Sequence, residues 1–243
     1  MRRFGLLGYP LSHSFSQKYF TEKFAQLGLT DCVYENFSLP DIKEFSGVLE
    51  AKKDLCGFNV TIPYKKQVLN FLDEISPVVK TIGACNCVNI KNGKLTGYNT
   101  DVVGFEQSLK PFLKSNHTRA LVLGTGGASA AVVYVLQKLG IAVQYISRTA
   151  SDTSVLYEQV DKTMLASHHL IINTTPLGMY PNENDCPALP YQYITAQHHL
   201  YDLIYNPSET KFLVSGKTKG ASIQNGQEML MLQAEESWRI WNS

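Results

Sequence analysis

The sequence predicts an α/β protein of two domains, and three observations carry that reading. Short β-prone apolar runs alternate with helical stretches along nearly the whole chain, the pattern of an α/β fold. In the first part, Lys91-Asn92-Gly93-Lys94 lies between two β-prone runs, and Asn-Gly supplies the positive φ angles of a tight antiparallel hairpin. From Arg119 the pattern changes: a continuous apolar strand runs into Gly124-Thr125-Gly126-Gly127-Ala128-Ser129 and then into a helix, the opening of a parallel, Rossmann-type sheet.

The elements follow in order. Residues 4–7 form a short strand ended by Gly8, and residues 16–27 a helix closed by Gly28. Residues 33–37 alternate as a strand, and Pro40 suits the first turn of the next helix, where an N–H is not needed. Residues 55–60 are a third strand. Pro63 is expected to open a helix just after Thr61, which puts Lys65 in its first turn with the side chain directed back toward the strand ends. Residues 87–90 and 95–98 are the hairpin strands, after which the first domain is expected to end. In the second part, residues 120–123 form a strand, 130–139 a helix ended by Gly140, and 143–147 a second strand. Residues 170–173 and 200–204 are further strands, and 221–223 a short last one. The closing stretch 227–241 carries Leu230, Ala234, Trp238 and Trp241 at helical spacing, with Glu235, Glu236 and Arg239 on another face, so its aromatic stripe is a packing face.

Composition excludes several classes of function. A chain of 243 residues can bury two modest cores. Its net charge of +1 and its isolated lysine pairs, Lys52-Lys53 and Lys65-Lys66, build no basic stripe, so small molecules rather than nucleic acid are the expected partners. Behind Arg2 and Arg3 the apolar run is broken at Gly8 and Pro10, too short for a signal segment or a membrane span. Five scattered cysteines suit reduced thiols in a cytoplasm better than a disulfide framework. No metal site is expected. His168-His169 and His198-His199 are adjacent pairs whose rings point to opposite faces of a strand, and Cys85 and Cys87 lack a second close pair. His13, between two serines, is expected to make local hydrogen bonds.

The glycine loop carries a chemical expectation. Gly124 permits the tight turn and Gly126 lets the backbone approach a pyrophosphate, whose charge is met by amide groups at the N-terminus of the helix, with Gly127 and Ala128 among the expected cofactor contacts. Ser129 stands where the usual fingerprint has a third small residue. The second strand ends in Ser147-Arg148-Thr149, where an NAD site would place an acidic residue for the ribose 2′-hydroxyl. A guanidinium there prefers a 2′-phosphate, so NADP(H) is the expected cofactor. Asp152 would weaken that preference if it faced the pocket. Loops at the carboxyl ends of later strands border the crevice, which places Asn173, Thr174 and Tyr205 near the nicotinamide.

Two stretches hold the remaining chemistry: Gly57-Phe58-Asn59-Val60-Thr61-Ile62-Pro63-Tyr64-Lys65 and Gly97-Tyr98-Asn99-Thr100-Asp101. Each places a charged residue after a β-prone run and a turn, and a lysine with an aspartate can handle one proton. Together with Gly8-Tyr9-Pro10, Ser12-His13-Ser14-Phe15-Ser16, Gly83-Ala84-Cys85-Asn86, the glycine loop, Asn173-Thr174-Thr175-Pro176-Leu177-Gly178-Met179, Asp202-Leu203-Ile204-Tyr205-Asn206-Pro207 and the stretch 226–233, they fall in one order along nearly the whole chain. In that order the chain resembles the shikimate dehydrogenases.

The resemblance implies a substrate domain of residues 1–99 completed by 226–243, a nucleotide domain of 100–225, and a cleft between them. It implies reversible hydride transfer between NADPH and the 3-carbonyl of 3-dehydroshikimate, giving shikimate in the route to chorismate and the aromatic amino acids. Lys65 would be the proton donor and Asp101 its orienting partner. Ser14 and Ser16 would bind the substrate carboxylate with help from Tyr205, while Thr61, Asn86 and Gln233 would bind ring hydroxyls. Leu203 and Gly226 join the expected cofactor contacts, and the assembly would be a monomer or homodimer. Two residues depart from the family pattern: Gln17 stands where Pro is usual, and Cys87 where Thr is common. A quinate or dual quinate/shikimate dehydrogenase shares the same chemistry, and a non-catalytic metabolite-binding protein of the same fold is the remaining alternative. The methylenetetrahydrofolate dehydrogenases also join a lysine to a nucleotide domain, but the paired serines and the Asn-Thr-Asp segment fit them poorly.

Overall fold

A computed structural model of the chain describes residues 1–11, 15–149 and 151–243. Two compact units result, one of residues 1–100 with 234–243 and the other of residues 101–233.

In the first unit, a mixed sheet of six strands is ordered β2-β1-β3-β5-β6-β4. Its strands are β1 (Arg2–Gly8), β2 (Cys32–Ser38), β3 (Leu55–Val60), β4 (Glu74–Ile75), β5 (Cys87–Lys91) and β6 (Lys94–Tyr98). β1 pairs in parallel with β2 and β3, and β5 runs antiparallel to both β3 and β6. The predicted hairpin is present, with Asn92 at φ 54° and Gly93 at φ 76°. Side chains of β1 alternate between the two faces, so Phe4 and Leu6 enter one core while Leu7 enters the other. The core containing Leu7 also holds Phe45, Phe58, Val68 and Val79. Across the sheet, Phe4 meets Phe20 and Phe24 of helix α1 (Phe15–Gln26) and the end of helix α8 (Gln227–Trp241). There Trp241 stacks on Phe4 at 4.9 Å and its Nε1 donates to the Val88 carbonyl at 2.9 Å, which satisfies the indole inside the core.

Two local expectations need correction. Pro40 precedes the helical segment, because the Asp41 side chain accepts from Lys43 N–H and so sets the cap at residue 41, ahead of a 3₁₀ turn and α2 (Phe45–Ala51). Pro63 opens no α-helix: residues 62–66 form turns that pass into a 3₁₀ segment, Gln67–Phe71. The Lys65 carbonyl accepts from Cys85 N–H at 2.8 Å, a long-range partner in place of a helical one. Short α3 (Pro77–Ile82), capped by Ser76 and closed by Gly83, completes this unit.

All six strands of the second unit are parallel, in the order β12-β11-β10-β7-β8-β9. They are β7 (Arg119–Leu123), β8 (Ala142–Ser147), β9 (Ser154–Leu156), β10 (Leu170–Asn173), β11 (His199–Asp202) and β12 (Ser222–Gln224). Reading outward from β7 in both directions gives the doubly wound dinucleotide arrangement, with its reversal between β7 and β10. The central strands β7 and β10 are near-continuous apolar runs because both faces are covered; Leu121, Leu123, Ile146, Ile171 and Leu200 share one core with Phe212 and Leu213. Helices α4 (Asp101–Leu109), α5 (Gly127–Lys138), α6 (Lys162–Ser167) and α7 (Lys211–Lys217) belong to this unit. α5 begins at Gly127, three residues ahead of the expected start, and β11 ends at Asp202, whose side chain turns the chain by accepting from Ile204 N–H. Among the described residues no helix is long and apolar enough to cross a membrane.

Candidate functional site

The strand reversal in the second unit brings the loops after β7, β8 and β10 together around a cavity of about 290 Å³. Gly124, Thr125 and Gly126 form one wall, Ser147 and Arg148 a second, and Thr174, Thr175, Pro176 and Leu177 a third. Gly124 has φ 99°, a conformation open to glycine, and a Cβ there would meet Thr175 Cγ2 at 2.8 Å. Thr174 locks the walls together: its N–H and its hydroxyl both donate to the Leu123 carbonyl, at 3.0 and 2.7 Å.

The donor set suits a dinucleotide phosphate. Gly126 caps α5 without a side-chain acceptor, which leaves the Gly127 and Ala128 amides for an anion while Ser129 N–H donates to the Gly126 carbonyl at 3.1 Å, and neither Gly126 nor Gly127 has a neighbour within 4 Å of where a Cβ would stand. Ser129 turns inward, its hydroxyl donating to the Gly126 carbonyl at 2.6 Å, so the small residue at this point secures the loop. Arg148 is exposed at the end of β8, where a ribose 2′ substituent would lie. Asp152 is exposed too and is not among the residues that line the cavity. Thr149 is held through its own N–H, donated to Ser147 Oγ at 3.2 Å.

Beside this cavity, Asp202 ties three loops to one carboxylate. It has no exposed surface and accepts from Asn173 Nδ2 at 3.0 Å, Ile204 N–H at 3.1 Å and Thr210 Oγ1 at 2.6 Å. Burial pushes its carboxyl up to about 6 against the pull of those donors. Asn173 in turn accepts from the Thr175 N–H and hydroxyl. Leu203 N–H donates to the Asn173 carbonyl at 3.0 Å, and Gly226 packs so closely on the Leu203 carbonyl that a side chain there has no room. Tyr205 follows, 39% exposed, its phenol raised by burial.

In the first unit, Thr61, Lys65 and Asn86 gather at the carboxyl end of β3. Thr61 N–H bonds the Leu7 carbonyl, the Asn86 carbonyl receives Val60 N–H, and the neighbouring Cys85 N–H holds the Lys65 backbone. Behind them runs a buried polar network. Tyr34 hydroxyl donates to Asn59 Oδ1 at 3.0 Å, and Asn59 Nδ2 donates to Ser237 Oγ at 2.8 Å. Asn86 exchanges bonds with Thr100, its Nδ2 donating to Oγ1 at 3.0 Å and its Oδ1 accepting the Thr100 N–H at 2.6 Å. Ser16, half-buried near the start of α1, bonds the Tyr34 phenol, which burial holds well above its ordinary value. Lys65 is half-buried. Ser14, with Ser12 and His13, lies outside the described residues.

Asp101 and Gln233 belong to the second unit. Asp101 is the first residue of α4 and is 8% exposed. Gln233, also 8% exposed, donates to the Leu230 carbonyl at 2.9 Å and packs on Gly104 of α4. Among the described residues no group of three or more His, Cys, Asp and Glu is placed to hold a metal ion. Pro176 and Leu177 on the walls and Asp202 behind them fall within sequence motifs but carry no site role there, whereas Tyr157 falls in no motif.

The comparisons with known proteins agree with this geometry. Residues 6–88 match the family described as the shikimate dehydrogenase substrate binding domain. A shikimate dehydrogenase (NADP(+)) of Carboxydothermus hydrogenoformans is 39% identical, over 98% of this chain and 90% of that protein. The crystal structure of shikimate dehydrogenase from Aquifex aeolicus is similar at a TM-score of 0.88 and 34% identity, covering 100% of this chain and 92% of that one. That of the Thermus thermophilus enzyme, in complex with NADP(H) and shikimate, gives 0.87 and 33%, covering 99% and 93%. With a dinucleotide sheet in one unit, a lysine-bearing turn in the other, and relatives of this closeness spanning both, the chain belongs to the shikimate dehydrogenase family.

Proposed function

We propose that this chain is an NADP-dependent shikimate dehydrogenase, reducing 3-dehydroshikimate reversibly to shikimate for chorismate and aromatic amino-acid biosynthesis. The observation that carries the reading is the pinned turn after β3, in which Cys85 N–H holds the Lys65 backbone beside Thr61 and Asn86, in a chain 39% identical to an NADP-dependent relative. NADPH, when bound, supplies the hydride that adds to the 3-carbonyl carbon.

As the ketone is reduced its oxygen gains negative charge, and Lys65 delivers a proton to that oxygen; in reverse the same amine removes it. Asp101 orients the ammonium and accepts from a ring hydroxyl. Thr61, Asn86 and Gln233 bind the ring hydroxyls, with Asn86 presented in one orientation because Thr100 holds both ends of its amide. Ser14, Ser16 and Tyr205 take the carboxylate. Ser16 carries a hydroxyl without the extra methyl of Thr, which favours shikimate over quinate.

On the cofactor side, the α5 amides with Gly124, Gly126, Gly127 and Ala128 hold the pyrophosphate, and Ser147, Arg148 and Thr149 hold the 2′-phosphate. Asn173, Thr174, Leu203 and Gly226 border the nicotinamide. No disulfide joins the five cysteines, which supports work in a reducing cytoplasm, and the assembly is a monomer or homodimer.

The test is a spectrophotometric assay of the purified protein with shikimate or quinate against NADP or NAD. The reading expects shikimate with NADP to give the highest kcat/KM of the four pairs. Equal or faster turnover of quinate would move the assignment to a quinate or dual enzyme, and no turnover of either would favour a metabolite-binding protein.

A further inference from the structure

The cavity beside Arg148 contains a residue that no motif announces. β8 and β9 are parallel, and their register pairs Ser147 with Leu156, so the next residues along, Arg148 and Tyr157, leave the carboxyl edge of the sheet side by side. Parallel neighbours ordinarily need a crossover of a dozen residues or more, most often a helix. Here residues 148–153 make the whole connection. Hydroxyls close it: Ser151 and Ser154 lie 2.8 Å apart, and Ser154 Oγ donates to the Thr149 carbonyl at 3.2 Å. Among the described residues between Arg148 and Tyr157 there is no helix.

Tyr157 opens the 3₁₀ turn Tyr157–Gln159, lines the cavity with Ser147 and Arg148, and is 8% exposed. Its hydroxyl is shielded from water yet has no hydrogen-bond partner among the described residues. A phenol O–H buried without a partner destabilises the fold, and one in the wall of a cavity calls for a group in that cavity to meet it. Burial raises this phenol while the Arg148 charge acts the other way, so the two groups are close enough to interact.

We infer that Tyr157 is a specificity residue for the cofactor's 2′-phosphate, its O–H donating to a phosphate oxygen that Arg148 also engages. The inference rests on the reading that this cavity takes the adenosine end of NADP(H). NAD, with a hydroxyl in place of the phosphate, gains nothing from the pair.

Tyr157→Phe deletes the hydroxyl and keeps the ring, and Arg148→Ala serves as the reference variant. Calorimetric titration of each purified protein with NADP and with NAD gives both affinities without turnover, and a melting curve of the unliganded protein confirms folding. A charge-assisted hydrogen bond predicts that Tyr157→Phe weakens NADP binding by about 10- to 100-fold, leaves NAD unchanged, and does not lower the melting temperature. NADP affinity within about two-fold of wild type, in a protein whose Arg148→Ala variant does lose NADP, would overturn the role of Tyr157 alone. If wild type binds NADP and NAD equally and Arg148→Ala matches it, the placement of the 2′-phosphate fails, and this inference fails with it.

Discussion

Acid should weaken the second unit through His199, by an amount that its surroundings set. His199 opens β11 with no exposed surface; its Nδ1 lies 2.9 Å from Ser222 Oγ, its Nε2 3.3 Å from Gln224 Oε1, and Phe112 stacks on it at 5.1 Å. An amide oxygen can only accept, so Nε2 carries the proton and Nδ1 takes the Ser222 hydroxyl, which satisfies the neutral ring at both nitrogens. Burial is the largest influence and pushes the imidazole down from 6.5 to about 4; the Gln224 bond opposes it, while His117 and Lys114 add to it. The folded chain therefore stays neutral at His199 in a pH range where the unfolded chain takes up a proton. Its stabilising contribution is complete above pH ~6.5 and disappears as pH falls toward ~4, amounting to a loss of about 2 kcal/mol at pH 5 and about 3 kcal/mol at pH 4. Asp202, raised to about 6, works in the opposite sense: stability from that group grows as pH drops through this window. His199→Gln cannot titrate but keeps a polar side chain between Ser222 and Gln224. Urea unfolding of both proteins at pH 7.5 and pH 5 isolates the histidine, since Asp202 and the other histidines cancel in the difference. Wild type should lose about 2 kcal/mol of its advantage over the variant between those two conditions. A difference that stays constant with pH would show that the ring is not buried neutral as described.

Three further outcomes follow from the same structure. Lys65→Ala should lower kcat by about 10²- to 10⁴-fold with a smaller change in KM for shikimate, whereas a raised KM at near-normal kcat would make Lys65 a binding residue. Trp241→Ala empties a site between Phe4 and Phe20 and removes the indole donor to the Val88 carbonyl; urea unfolding should show a loss of about 3–5 kcal/mol, and a loss below about 1 kcal/mol would mean that the α8 terminus is not part of this core. Gly226→Ala forces a methyl against the Leu203 carbonyl, and should lower stability by about 1–3 kcal/mol while weakening NADP binding; unchanged affinity would separate this corner from the cofactor.

Much of the architecture could be read from local chemistry. Asn92-Gly93 announces its hairpin because few residues accept two successive positive φ angles, and Gly124 announces its turn for the same reason. The parallel strands β7 and β10 are visible as continuous apolar runs because both faces are buried. α3 had its signal too, in Ser76-Pro77 at one end and Gly83 at the other, but its six residues show too little periodicity to find by pattern. The turn at Lys65 was not visible, because the bond that fixes it comes from Cys85, across the strand pairing of β3 with β5. Tyr157 was hidden for the same reason, since only the register of β9 on β8 sets it beside Arg148.

The two units therefore differ in how far a motif reaches. A glycine loop encodes its own backbone, so Gly124 and Gly126 carry their geometry with them wherever a strand and a helix flank them. Lys65 encodes nothing locally: the same residues 62–66 without the Cys85 amide would lack the bond that fixes the lysine's backbone in the turn. Asn86 shows how the fold supplies that missing information. Its carbonyl holds Val60 and receives Asn59 Nδ2, while its side chain holds Thr100, the residue before Asp101. One buried asparagine thus sets the end of β3, from which the chain turns into Lys65, and the backbone from which Asp101 departs. Cys87, buried in the strand that begins right after Asn86, bonds Ser237, whose hydroxyl lies 3.3 Å from Thr100 Oγ1 and accepts from Asn59 Nδ2 at 2.8 Å, so this residue backs the same network.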